Sequence, residues 1–203
     1  MGYLIVFFIS YLLGCSNMAL YLSKLTKTDI RKGGSGNLGA SNAMMLLGWP
    51  AGILTGAHDI GKAALAVLLG KFLFPDLPNI GAVAGIAAVL GHMFPFYLKF
   101  KGGKGFASYL GMTIALNWKF ALVVLALVVV ITLVTDYIVM GTLTTITVVP
   151  IYMGIAEHSL LLSLILLVGT AVIFYKHWDN FVRICNGTEV KTRKAAKGDY
   201  RAK

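Results

Sequence analysis

The chain has 203 residues, 58% apolar and only 13% charged, against the roughly one-quarter charged content of an ordinary soluble domain. That composition excludes a water-soluble globular fold and leaves room for a single membrane domain over residues 1–203. The formal net charge of +10 is gathered into a few segments between apolar runs, a distribution that speaks against a nucleic-acid footprint.

The first predicted element is an uncharged run over residues 3–23, near the ~17–25 residues that a helix needs to cross ~30 Å of hydrocarbon. No Lys or Arg precedes it and the region after Asn17 is a poor cleavage site, so it reads as a permanent span, not a secretory signal. Cys15 lies in this run and Cys185 in a basic tail, an arrangement that gives no disulfide framework. A loop over about 24–42 follows, with Lys24, Lys27, Arg31 and Lys32 at its start. Next comes an apolar segment carrying Gly48, Gly52 and Gly56 at a spacing that lets helix backbones approach closely. The same segment holds Asp59 and Lys62, three apart on one helix face. Ionisable residues at membrane depth mark either a functional site or a structural ion pair.

A further span covers residues 79–98, with His92 near its inner end. The loop 99–105 brings Lys99, Lys101 and Lys104, and a short apolar helix begins near Phe106. Uncharged runs at 120–135, 137–156 and 159–175 complete the membrane part, and a basic tail occupies 176–203. Cytoplasmic loops are enriched in Lys and Arg. Placing the loops 24–42 and 99–105 and the tail 176–203 on the cytoplasmic side leaves the connections 75–79 and 157–158 outside, without a Lys or Arg. That parity requires the segment from Phe106 to Asn117 to cross, although it falls short of the ~20 residues of a straight span. The expected fold is therefore an all-α integral membrane protein of about seven short transmembrane helices, N-terminus outside and C-terminus cytoplasmic.

Three clusters could carry chemistry. In Gly34-Ser-Gly-Asn-Leu-Gly-Ala-Ser-Asn42, the glycines allow backbone N–H groups to converge on an anion, and Ser35, Asn37 and Asn42 add short polar arms. A flexible linker is the alternative reading of that composition. In the second, Gly102, Gly103 and Gly105 surround Lys104, ahead of a helix whose N-terminal end would face whatever the loop holds. The third is His177, Asn180 and Arg183, spaced three apart along a continuing helix, followed by Gly187 and Glu189. Its alternative reading is a polar, snorkelling end to a span. A Walker loop, zinc-ligand spacing, the His-Glu-x-x-His motif, a Gly-x-Ser-x-Gly elbow and a His-x-x-x-x-Asp motif are all missing from the sequence. A metal or covalent-serine mechanism has no support, and no cofactor is implied.

Taken in order, the three motifs resemble those of the bacterial membrane acyl-phosphate:glycerol-3-phosphate acyltransferases, over nearly the whole chain. Gly34 to Asn42 resembles the first motif, with Ser41 where threonine is usual, and residues 99–105, preceded by Gly91-His-Met-Phe-Pro95, resemble the second. His177-x-x-Asn180-x-x-Arg183-x-x-x-Gly187-x-Glu189 resembles the third, and the Asp59/Lys62 pair also fits. The resemblance implies transfer of a fatty acyl group from acyl phosphate to the 1-hydroxyl of glycerol 3-phosphate, giving lysophosphatidic acid and phosphate. It further implies a bacterial inner membrane, an active site on the cytoplasmic face and a separate enzyme that supplies acyl phosphate. By carry-over, Ser35, Lys104, His177 and Asn180 act at the reacting centre. Gly34, Gly36, Asn37, Asn42, Gly102, Gly103, Gly105 and Arg183 bind substrate, and Asp59, Lys62, His92 and Glu189 support them. One position departs: Met45 stands where the family usually has arginine, with Arg31, Lys62 or Arg183 as candidate substitutes. The rival reading is a carrier or scramblase for phosphorylated solutes or lipids; the sequence shows no internal repeat of the kind many transporters carry.

Overall fold

The computed structural model describes residues 1–196, in which every regular element is helical. The end of the expected tail, 197–203, lies outside the described residues. The chain divides into two compact units, Met1–Trp118 and the part from Lys119 onward, and each is taken by itself.

In the first unit, the apolar stretch Gly2–Leu25 is two helices, α1 (Gly2–Cys15) and α2 (Met18–Leu25), where the sequence suggested one uninterrupted span. Asn17 makes the break. It takes an extended backbone and caps α2 by accepting a hydrogen bond from the Leu20 N–H at 2.9 Å. Interrupted helix is tolerated at membrane depth only where other groups satisfy the freed carbonyls. Here the Cys15 carbonyl accepts from the Tyr97 hydroxyl and the Ser16 carbonyl from Lys62 Nζ, both at 2.6 Å.

The short α3 (Ala40–Leu47) packs on α4 (Trp49–Leu73), where Gly52 leaves room for Met44 and the Ala40 carbonyl. Helix α5 (Ile80–Met93) is apolar and buried almost all round, as a central helix must be. A side chain at Gly91 would collide with the Tyr11 carbonyl of α1, so these two backbones touch. Helix α6 (Phe106–Leu116) has only 11 residues. It runs antiparallel to α5, with Met112 against Gly85 and Leu116 against Gly81, and Lys71 Nζ donates to the Ala115 carbonyl at its far end. Its shortness therefore matches the 14-residue helix beside it.

In the second unit α7 (Trp118–Thr135), α8 (Ile138–Ala156) and α9 (Leu160–Cys185) run up and down, with left-handed residues Asp136 and His158 at the reversals. Phe120 of α7 stacks on Tyr152 of α8 at 3.7 Å between ring centroids. Pro150 inside α8 has no N–H for the Ile146 carbonyl; Thr170 Oγ1 of α9 donates to that carbonyl at 2.6 Å instead. The segment around α10 (Thr192–Ala196) returns to the α7/α8 reversal, where Thr192 N donates to the Asp136 carbonyl and Arg193 N to its carboxylate. Among the described residues, six helical stretches are long and apolar enough to cross a membrane, and α6 is a shorter apolar helix.

Candidate active site

The first glycine segment is pinned, which removes the flexible-linker alternative. Asp29 caps a short 3-10 turn, Ile30–Lys32, and its carboxylate accepts from Arg31 Nε at 2.9 Å and from the second guanidinium nitrogen at 3.0 Å. Those hydrogen bonds hold the Asp29 carboxyl below its usual range and raise the Arg31 guanidinium. Gly34 and Gly36 then adopt φ of +57° and +68°, the left-handed region that favours glycine. Asn42, fully buried in the first turn of α3, reaches back with both ends of its amide. Its Oδ1 accepts from the Ser35 N–H at 2.9 Å, and its Nδ2 donates to the Ile30 carbonyl at 2.7 Å. Asn17, at the break in the first span, donates to the Leu38 carbonyl at 3.2 Å. Ser35 is thus fixed at an exposed turn by a buried anchor, and Asn37 stands half-buried against Gly39.

The second segment hangs from the end of α5. Gly102 N donates to the Met93 carbonyl at 3.0 Å and Gly103 N to the His92 carbonyl at 3.1 Å. Neither glycine has room for a side chain: a Cβ at Gly102 would strike the His92 carbonyl, and one at Gly103 the His92 ring. Gly105, at φ +91°, turns the chain into α6. The half-buried Lys104 therefore sits at the positive end of a helix whose first-turn N–H groups have no intrahelical acceptor.

Beneath this segment lies a buried polar network. Asp59, Lys62 and His92 are 1%, 5% and 3% exposed. Lys62 Nζ makes three short contacts: the Ser16 carbonyl at 2.6 Å, Asp59 Oδ1 at 2.7 Å and His92 Nδ1 at 2.9 Å. An ammonium has three donors and no acceptor, so all its protons are directed. Helix α4 consequently supports both glycine segments, the first through α3 and the second through Lys62 and His92.

The third cluster belongs to the second unit. His177 and Asn180 share the buried face of α9. The Ile173 carbonyl lies 2.9 Å from His177 Nδ1, and a carbonyl only accepts. Nδ1 therefore carries the proton in the neutral ring. Gly187, at φ +68°, reverses the chain so that Glu189 reaches back. Its carboxylate accepts from Asn180 Nδ2 at 2.8 Å and from Arg183 Nε at 2.7 Å.

The residues expected from the sequence thus fall into three built clusters, two in the first unit and one in the second. Met45 is half-buried, its sulfur against Gly34. The three cations that could replace the missing arginine are all engaged, Arg31 with Asp29, Lys62 with Asp59 and Arg183 with Glu189. Sequence reasoning missed Ser16 and Asn17, whose signal was a polar pair inside an apolar run, and Tyr97, which had no such signal. No group of three His, Cys, Asp or Glu side chains able to hold a metal occurs among the described residues.

The profile of a protein family described as Glycerol-3-phosphate acyltransferase matches residues 4–187. A Glycerol-3-phosphate acyltransferase from Thermoanaerobacter pseudethanolicus is 38% identical, the match covering 90% of this chain and 92% of the relative. One from Coxiella burnetii is 38% identical over 95% of this chain and all of the relative. Two crystal structures of PlsY (YgiH), described as an integral membrane glycerol 3-phosphate acyltransferase, superpose on the chain. The glycerol 3-phosphate form has a TM-score of 0.88 at 30% identity, covering 94% of this chain and 96% of that one. The lysophosphatidic acid form has a TM-score of 0.87 at 29% identity, covering 97% and 100%.

Proposed function

The chain belongs to the glycerol-3-phosphate acyltransferase family, and on that premise we propose that it acylates the 1-hydroxyl of glycerol 3-phosphate with acyl phosphate as donor. The observation that carries the donor assignment is the segment 102–105: backbone-tethered glycines around a lysine, at the N-terminal end of an apolar helix. Such a place suits a phosphoryl group whose acyl chain lies along the lipid phase. The relatives' shared description as acyltransferases favours chemistry over carriage.

In this reading the glycerol 3-phosphate hydroxyl oxygen attacks the acyl carbonyl carbon, the bond from that carbon to the phosphoryl oxygen breaks, and phosphate departs. Acyl phosphate is a mixed anhydride with a good leaving group. Alignment and charge stabilisation therefore supply most of the barrier reduction. Lys104 and the N–H groups of residues 102–105 take the charge of the donor phosphate. By the motif resemblance, Ser35, with Gly34, Gly36, Asn37 and Asn42, holds the acceptor, and Asn180 and Arg183 are further binding groups. His177 accepts the hydroxyl proton at Nε2, with the departing phosphate as the alternative acceptor. Glu189 orients Asn180 and Arg183.

The reading also includes seven crossings, with the N-terminus outside and the active site at the cytoplasmic face of a bacterial inner membrane. The distribution of Lys and Arg and the antiparallel course of α6 along α5 support it. A separate enzyme must then make the acyl phosphate. The test is donor choice: the reconstituted protein receives labelled glycerol 3-phosphate with either palmitoyl phosphate or palmitoyl-CoA. Lysophosphatidic acid is expected from the phosphate donor alone. Product from the CoA thioester alone would overturn the donor assignment and leave the family's reaction standing.

A further inference from the structure

Cations after a last span answer to the topology of the chain, but topology does not require that they be fastened. In the second unit they are. Beyond Gly187 the chain returns to the α7/α8 reversal, where Thr192 N donates to the Asp136 carbonyl at 2.8 Å and Arg193 N to the Asp136 carboxylate at 2.9 Å. The Arg193 guanidinium donates to the Leu133 carbonyl at 2.8 Å, and Thr192 Oγ1 accepts from Ile138 N at 3.2 Å. Leu133 lies in the last turn of α7 and Ile138 opens α8, so this latch satisfies backbone groups that helix ends leave without an intrahelical partner. The reversal also fixes a depth. Helices α7 and α8, of 18 and 19 residues, are about 27–29 Å long, close to the ~30 Å of hydrocarbon that a span must cross, so the turn between them lies where the headgroups begin. Segment 190–194, bonded to that turn, lies at the same depth. It holds three cations and no carboxylate. Arg193 is matched by Asp136, 4.0 Å from its Nε, and the preceding Glu189 by Arg183 at 2.7 Å. Lys191 and Lys194, both exposed, carry the surplus charge.

We propose that the latched segment 190–194 is a binding surface for anionic phospholipid headgroups, with Lys191 and Lys194 as the partners of the lipid phosphates. Lysines at headgroup depth gain from the negative potential of an anionic leaflet, a gain that falls off within a Debye length of the surface. The latch keeps both ammonium groups inside that distance. It also places them before a lipid arrives, so the attraction is not offset by the ordering of a loose chain. By linkage, a lipid that prefers the latched segment to the released one holds the latch shut. The inference is independent of which acyl donor the protein uses.

Amide hydrogen exchange of peptides covering 190–194 tests this, with the full chain in lipid nanodiscs of phosphatidylcholine alone or with about one-third phosphatidylglycerol. An anionic surface slows exchange at every nearby amide by depleting hydroxide, so the wild type is compared with K191Q/K194Q in the same disc. In the phosphatidylglycerol discs at low salt the wild-type segment should exchange about 25-fold more slowly than the variant, from about fivefold for each lysine. In phosphatidylcholine the two should agree within about twofold, and about 0.5 M NaCl should erase the difference in the anionic discs. T192P keeps every charge but removes the Thr192 N–H and hydroxyl; its segment should exchange fast in both discs. Equal exchange of wild type and K191Q/K194Q in phosphatidylglycerol would overturn the proposal. Wild-type protection in T192P would overturn it as well, since the lysines would then bind lipid without the latch. Protection reproduced in phosphatidylcholine by millimolar inorganic phosphate would assign the lysines to a soluble anion and overturn the lipid assignment.

Discussion

Replacing Lys62 with methionine removes the ammonium and leaves the rest of the buried network in place. Asp59, 1% exposed, loses its nearest cation, and the Ser16 carbonyl loses its donor. Breaking a buried pair by deleting one partner costs about 3–5 kcal/mol, because the remaining charge stays desolvated. Interhelical hydrogen bonds in membrane proteins add only about 0.6 kcal/mol each, so the lost bond to Ser16 leaves the total near the middle of that range. Lys62→Met should therefore lower the unfolding free energy by about 4 kcal/mol. Removing both charges in Asp59→Asn/Lys62→Met should return at least half of it, since no uncompensated ion remains. Titrating detergent-solubilised protein with SDS and following helix content by circular dichroism measures both values. A Lys62→Met protein within about 1 kcal/mol of the wild type, or a double variant as unstable as the single, would refute the reasoning that this is a paired, desolvated charge.

Met45→Arg should lower KM for glycerol 3-phosphate by about tenfold, because a guanidinium fork beside Gly34 adds charge-assisted bonds to a phosphate; unchanged kinetics would show that acceptor phosphate does not reach the first glycine segment. Glu189→Gln should cut kcat by about tenfold through the misorientation of Asn180 and Arg183. Its effect on stability should stay below about 1 kcal/mol, since Arg183 is 42% exposed and its ion pair is largely screened; kinetics and SDS titration on one preparation separate the two effects. Gly91→Ala should destabilise the fold by about 1–3 kcal/mol, because its methyl group meets the Tyr11 carbonyl and backbone cannot step aside. The same titration reads it.

Much of the fold was legible because apolar run length and Lys/Arg distribution are dictated by the bilayer. The runs at 79–98, 120–135 and 137–156 appear as helices with ends shifted by a few residues. Phe106 begins a short helix as expected, and its length is explained by α5, which no single-segment reading could supply. The break at Ser16–Asn17 was hidden because hydropathy averages over two polar residues in an apolar run, while the carbonyls it frees are satisfied by Tyr97 and Lys62, far along the chain. The glycine motifs were visible as composition, but what pins them was not. Asn42 binding both Ser35 and Ile30, and His92 filling the space beside Gly103, are tertiary facts carried by single side chains. The spacing of His177, Asn180 and Arg183 correctly placed the first two on one buried face, since a continuing helix fixes that geometry.

The central claim is that residues 102–105 and Lys104 receive the phosphate of an acyl phosphate that acylates glycerol 3-phosphate. The most direct measurement is parallel quantification of phosphate and lysophosphatidic acid released by the purified protein from palmitoyl phosphate and glycerol 3-phosphate, with Lys104→Ala as the control. The account predicts equal amounts of the two products from the wild type and a loss of at least about a hundredfold in the control, the scale expected for removing a charge that stabilises the departing group. Lysophosphatidic acid formed at an undiminished rate by Lys104→Ala would contradict it.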